Sequence, residues 1–178
     1  METIEKDEVL DRRKQRTRQA ALAAFSSLLM EQGYEAVTVA GVAERANVGR
    51  STLYEHFRTK DDLLEAALER PLTPLAADPP DAVHLQALLE HVRANAGAVR
   101  VVLAQPLRSR VARVLAARTA VRLRAGGLPA PLAELRALAA AEAQLAVMAY
   151  WLRGGGFPAA EVAAELARIA RCLMQDGR

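Results

Sequence analysis

An all-α fold is predicted by three features of this sequence. Ala and Leu dominate a composition that is 52% hydrophobic but only 4% aromatic. Few runs favour strands, so intrinsic preference points to helices. Apolar residues recur at three- and four-residue steps in one segment after another, and most Gly and Pro residues fall between those segments. A chain of 178 residues has room for a small domain fused to a larger one, each with a real core.

Residues 1–10 are polar and are expected to form a disordered tail. The first helix is predicted from about Asp11 to Gln32, with Ala21, Leu22, Phe25, Leu28 and Leu29 on one stripe. Gly33 ends it as a C-cap residue and Tyr34 follows as an apolar plug. Thr38 is a good N-cap for a second helix, Val39 to Ala46, whose Val42, Ala43 and Ala46 face inward. Asn47-Val48 makes the turn, Asn being the non-glycine residue best suited to a left-handed conformation. Gly49 caps a third helix, about Arg50 to Phe57, with Leu53 and Phe57 inward at i and i+4. A fourth starts near Asp61, where Asp61 and Asp62 suit the positive helix end, and buries Leu63, Leu64, Ala67 and Leu68.

Pro71 stops that helix, so residues 11–70 form the first domain and the proline-rich stretch 71–81 a linker. The second domain, 82–178, is read as helices over Ala82–Asn95, Ala98–Ala104, Leu107–Arg124, Pro131–Arg153 and Pro158–Met174. Gly126-Gly127-Leu128-Pro129 and Gly154-Gly155-Gly156 separate the last three.

Composition also excludes several classes. No apolar run approaches the roughly 18 residues a membrane span needs, and the charged N-terminus lacks a signal peptide's apolar core. Cys172 is the only cysteine, so a reducing cytoplasm is expected. One Cys with His56, His84 and His91 fails the usual zinc spacings, and no metal or cofactor is expected. An enzyme using His84 or His91 as a base is disfavoured, because no nucleophile, paired carboxylates or phosphate loop accompanies either.

Net charge is only +3, so its distribution matters more than its sum. Arg12, Arg13, Lys14, Arg16 and Arg18 crowd together after an acidic start. Between Glu90 and Glu134 there is no acid but eight Arg. The first cluster suits a DNA backbone or an adjacent minor groove, or else a solubilising helix end.

Two short helices joined as tightly as the second and third form a helix-turn-helix, whose second helix enters the major groove of DNA. Residues at the start of such a helix reach base edges. Arg50 is therefore the first candidate for direct readout, through a bidentate pair with guanine O6 and N7. The alternative for Arg50 is a phosphate clamp. Ser51 permits close approach or bonds either strand. Thr52, Tyr54, His56 and Lys60 are of the types that hold phosphates, although Tyr54 also suits a half-buried core position. Glu55 is expected to point away rather than to read a cytosine amino group.

From Thr38 to Leu64 the sequence resembles the TetR family of bacterial transcriptional regulators. The matching positions are Thr38, Val42-Ala43, Ala46-Asn47-Val48, Thr52-Leu53-Tyr54-Glu55-His56-Phe57, and Lys60 with Leu63-Leu64. Thr17-Arg18 and Gly33-Tyr34 match the family's first helix and its end. The resemblance is close over about the first 65 residues and extends to the rest only in layout. Asn47 replaces the usual turn glycine, Ala40-Gly41 stand where many members carry polar residues, and Pro71 cuts the fourth helix short. Gly41 costs the second helix about 0.5–1 kcal/mol relative to Ala.

The resemblance implies a ligand-responsive repressor that binds a palindromic double-stranded DNA operator as a homodimer and is released by a small molecule. It assigns DNA contacts to Arg18, Thr38, Arg50, Ser51, Thr52, Tyr54, His56 and Lys60, and makes the second domain the effector-binding and dimerisation domain. Broad apolar faces on the last two helices, including Leu135, Leu138, Ala139, Leu145, Ala146, Ala149 and Leu152, support dimerisation independently. The alternative for those faces is an intrachain core. Effector candidates are His91, Arg118, Glu142, Met148 and Trp151, with Tyr150 beside them. Arg118 falls on the apolar face of its helix and needs a partner. An anionic ligand, Glu142 or an escape to solvent would serve, and either of the last two is preferred to the ligand. The competing function is a helical ligand-binding or interaction module that has lost specific DNA binding.

Overall fold

The computed structural model describes residues 2–77 and 80–174, residues 2–11 and 174 as main chain only. These residues form the helices α1 (Glu2–Gln32), α2 (Val39–Arg45), α3 (Arg50–His56), α4 (Lys60–Leu68), α5 (Ala82–Ala94), α6 (Ala96–Val102), α7 (Leu107–Ala125), α8 (Ala130–Leu152) and α9 (Ala159–Met174). A short 3-10 turn, Tyr34–Ala36, follows α1, and no strand occurs among the described residues. The all-α expectation holds.

The chain divides into two compact units, Met1–Ala67 and Leu68–Arg178. In the first, α1, α2 and α3 pack on one another around Ala21, Phe25, Val42, Leu53 and Leu63. Local chemistry explains the sharp turns. Asn47 stands at φ 51, as its residue type suggested. Val48 N–H donates to Ala43 carbonyl at 3.0 Å and Asn47 N–H to Glu44 carbonyl at 3.1 Å. This pair of bonds is the Schellman ending of a helix, with Asn taking the usual glycine's place. The α4 start is fixed by a reciprocal pair: Thr59 Oγ1 accepts from Asp62 N–H at 3.1 Å while Asp62 Oδ2 accepts from Thr59 N–H at 2.9 Å. Asp62 also accepts from Arg58 N–H, and these bonds, led by that of Thr59, hold its carboxyl below the ordinary range.

Two expectations are corrected here. Helix α1 begins at Glu2 rather than near Asp11, so the stretch read as a disordered tail is helical. The acidic residues that made it look unstructured are the ones a helix N-terminus favours. The second correction concerns 71–81. The boundary between units falls before Leu68, and residues 71–76 form turns that belong to the second unit. Leu72, Leu75 and Ala76 are buried. Proline ends the regular helix, but Leu72 N–H still bonds Leu68 carbonyl and Ala76 N–H bonds Leu72 carbonyl. The apolar residues between the prolines thus keep a near-helical spacing and dock as a strap. Part of 71–81, residues 78 and 79, lies outside the described residues.

In the second unit α7 runs along α8, and α9 packs on α8 and α5. Small residues allow close approach: Ala133, Ala137 and Ala140 of α8 meet Ala120 and Leu123 of α7 and Ala170 of α9. Helix α7 ends in a second Schellman arrangement, with Gly127 at φ 95 and Leu128 N–H donating to Leu123 carbonyl. The apolar set expected on α8 and α9 splits in two. Leu145, Leu152, Val162 and Leu166 are buried within the chain, whereas Leu135, Leu138, Ala139 and Ala146 face outward.

Candidate functional site

Helix α3 is held from behind by Leu53 and Phe57, both buried. Its other side is open: Arg50, Ser51, Thr52 and Tyr54 are all exposed, and none makes a side-chain hydrogen bond or ion pair with another described residue. Tyr54 is 47% exposed, which rules out the half-buried core alternative. Glu55 is exposed as well and His56 is half-buried, its ring 6.2 Å from that of Phe57. A short helix thus presents a guanidinium, two hydroxyls and a phenol in seven residues, the groups that reach bases and phosphates. On α1, Arg12, Arg13, Lys14, Arg16 and Arg18 are exposed.

Two expected contact residues also serve the fold. Thr38 Oγ1 accepts from Gly41 N–H at 3.0 Å as the N-cap of α2. A Cβ on Gly41 would stand 3.2 Å from that oxygen, so the glycine that weakens α2 also leaves room for its cap. Lys60, expected as a phosphate ligand, is more fully engaged within the unit. Its Nζ donates to the carbonyls of Tyr34 and Glu35, each at 3.2 Å, lies 3.4 Å from Glu35 Oε2 and sits 4.6 Å above the Tyr34 ring. Tyr34 in turn donates its hydroxyl to Asp61 and meets Phe25 edge-on. Lys60 is therefore a brace between the start of α4 and the turn after α1.

A further brace was not foreseen. Arg45 of α2 reaches Glu31 of α1 with two parallel bonds of 2.7 Å, and Ser27 donates to the same carboxylate at 2.8 Å. The Arg45 bond, then that of Ser27, pulls the Glu31 pKa down to about 2. No local pattern links residues fourteen apart. The Thr59–Asp62 pair, by contrast, has a capping-box-like spacing, a local signal that could have found it.

In the second unit the effector candidates do not converge. His91 and Met148 line one cavity of about 170 Å³. Trp151 is buried with its indole N–H donating to Phe157 carbonyl at 2.8 Å, and Arg93 lies over its ring at 4.5 Å. The Arg118–Glu142 pair is not formed. Glu142 takes Arg108 at 2.8 Å, and Arg118 donates to the carbonyl of Glu69. The reason is helical phase: the buried face of α7 runs through Leu107, Val111, Leu115, Thr119 and Leu123, which leaves position 118 at its margin. Neither Arg118 nor Glu142 lines the cavity. Arg122 donates to Ala76 carbonyl at 2.8 Å, and Gln144, only 1% exposed, donates to Leu75 carbonyl at 3.1 Å. The polar groups of α7 and α8 thus hold the carbonyls of the strap.

Known proteins resemble this arrangement. Residues 21–67 match the family described as bacterial regulatory proteins, tetR family. The uncharacterized HTH-type transcriptional regulator YxbF of Bacillus subtilis (strain 168) is 37% identical over 67 residues, 37% of this chain and 18% of that protein. The HTH-type transcriptional repressor KstR of Rhodococcus jostii (strain RHA1) is 40% identical over 68 residues, 38% of this chain and 32% of that protein. The chain thus spans about a third or less of these two relatives' length. A TetR transcriptional regulator from Streptococcus agalactiae 2603V shares the fold at TM-score 0.58 and 25% identity, over 95% of this chain and 99% of that one. A TetR-family regulator from Streptomyces coelicolor A3 is similar in fold at TM-score 0.59 and 23% identity, over 91% and 96% of the two chains. Residues 21–67 thus carry the signature of the tetR family of bacterial regulatory proteins, and the fold along nearly the whole length is similar to that of a TetR transcriptional regulator.

Proposed function

We propose that the chain is a DNA-binding transcriptional regulator. In this reading it is a repressor that occupies a palindromic operator as a homodimer in the cytoplasm and leaves it when a small molecule binds the second unit. The observation that carries the reading is the outward face of α3, where Arg50, Ser51, Thr52 and Tyr54 stand exposed on a helix fixed by Leu53 and Phe57. Arg50 reads a guanine, Ser51 allows the close approach, and Thr52 and Tyr54 with half-buried His56 hold phosphates. The exposed cations of α1 at 12–18 add charge to the backbone contact. Repression is supported by KstR, a repressor similar over the same region.

The apolar cavity of the second unit supports an effector, and His91 and Met148 keep their place as candidates in it. The outward residues of α8 support dimerisation. Binding selection from random duplex DNA tests the whole reading: a palindrome with half-sites about one turn apart is expected. Salt-sensitive binding without enrichment would instead favour a helical module that has lost specific DNA recognition. Arg50→Ala should relax preference at one base per half-site and cost about 1–3 kcal/mol of discrimination there. Unchanged preference would remove Arg50 from that role.

A further inference from the structure

We infer that the cavity of the second unit takes a compact, uncharged molecule about the size of one aromatic ring, carrying at most one polar group. The inference rests on the reading of that unit as effector-binding and narrows the class of effector. Three observations carry it. The first is volume: the cavity measures about 170 Å³, and an apolar cavity of about 150 Å³ is known to hold benzene. A long acyl chain or a fused polycyclic molecule does not fit that space unless the walls part.

The second observation is chemistry. The walls come from the strap (Leu72, Leu75), α5 (Val92), α6 (Val99) and α8 (Leu145, Met148), and every lining side chain except His91 is apolar. An ionised ligand entering such a site would lose its hydration without a compensating charge. The third is where the nearby charges go. Arg118 is bound to the Glu69 carbonyl, Arg122 to the strap carbonyl of Ala76 and Arg108 to Glu142, and none of the three lines the cavity. An anion therefore finds no guanidinium, and a cation finds no carboxylate. His91 is exposed, so it stands on the open side of the cavity. Its Nδ1 lies 3.5 Å from the amide of Asn95, and the imidazole supplies the one hydrogen-bonding group a ligand meets. A monocyclic phenol, ketone or ether satisfies each of these conditions.

The test uses the full chain with toluene, phenol, decanoate and tetraethylammonium as probes, and follows thermal unfolding and affinity for the selected duplex. Toluene and phenol should raise the unfolding midpoint by about 3–6 °C at ten times their dissociation constants. Decanoate and tetraethylammonium should not. Val99→Phe should fill the cavity and abolish the shift, with Val102→Phe as the second filling variant should the first not fold. His91→Leu should weaken phenol about three- to tenfold and leave toluene unchanged. If decanoate or the cation binds in a manner that Val99→Phe removes, or if no probe binds, the inference is overturned while the DNA-binding reading stands. If toluene and phenol bind without altering affinity for the duplex, the ligand class is supported and the effector role of the site falls.

Discussion

Residue type alone does not show what a lysine meets twenty-five positions away. Lys60 follows a recognition helix and has the charge of a phosphate ligand, yet its ammonium meets two carbonyls, a carboxylate and an aromatic face. Three donors are matched by three oxygens, so a phosphate would have to displace a partner. Removing the ammonium takes a donor from the Glu35 carbonyl and leaves the Tyr34 carbonyl only the 3.3 Å bond from Val37 N–H. Lys60→Met should therefore lower stability by about 1–2 kcal/mol, read by urea unfolding. It should leave the slope of log affinity against log salt unchanged. A phosphate contact would flatten that slope by about 0.9, and that outcome with unaltered stability would restore Lys60 to the DNA interface. Arg50 is the contrasting residue: it is exposed and makes no side-chain bond with another described residue, and its place at a helix start can be read without distant information.

At the scale of elements, what was legible is what local chemistry decides. Of the stripe, Ala21, Phe25, Leu28 and Leu29 lie buried and Leu22 half-buried, Asn47 takes the left-handed turn, and Leu53 and Phe57 point inward. The missed features are long-range. The Glu31–Arg45 clamp joins α1 to α2 and is exposed at both ends, so its stabilising effect is moderated by solvent. Its pH dependence follows from the lowered Glu31 pKa, about 2 against an ordinary 4.5. A carboxyl depressed in the folded state stabilises it above the unfolded value and loses that effect as pH falls through the folded one. The difference in unfolding free energy between the native chain and Arg45→Met should thus be constant from neutrality to about pH 5 and shrink between about pH 4.5 and 2. Urea titrations across that range check it. A difference that persists undiminished at pH 2 would assign the effect of Arg45 to packing of its aliphatic stem.

For the whole molecule, the sequence conveyed two helical units and placed their boundary a few residues late. Proline marks the end of regular helix, but it does not tell whether the following chain docks; Leu72 and Leu75 do. The same ambiguity of burial governs α8, whose apolar residues were read together and separate into an inner and an outer face. In the proposed reading the outer face decides assembly. Leu135 is 65% exposed, Leu138 47% and Tyr150 61%, and all lie on a helix whose opposite side is filled by α7 and α9. Apolar side chains so exposed along one helix mark an association surface, and a symmetric dimer gives each the same surroundings on the partner. A second copy also provides the second reading helix that a palindrome demands. Leu135→Glu combined with Leu138→Glu places four like charges on the paired surface while leaving the buried Ala133, Ala137 and Ala140 untouched. The variant should sediment as a folded monomer and lose at least about 100-fold in affinity for the selected duplex, the advantage of linking two half-site contacts. Affinity for an isolated half-site should stay unchanged, which separates lost assembly from a damaged α3. Should the variant remain dimeric, the association surface lies elsewhere; should it be monomeric with undiminished affinity, one α3 suffices and the palindromic reading fails.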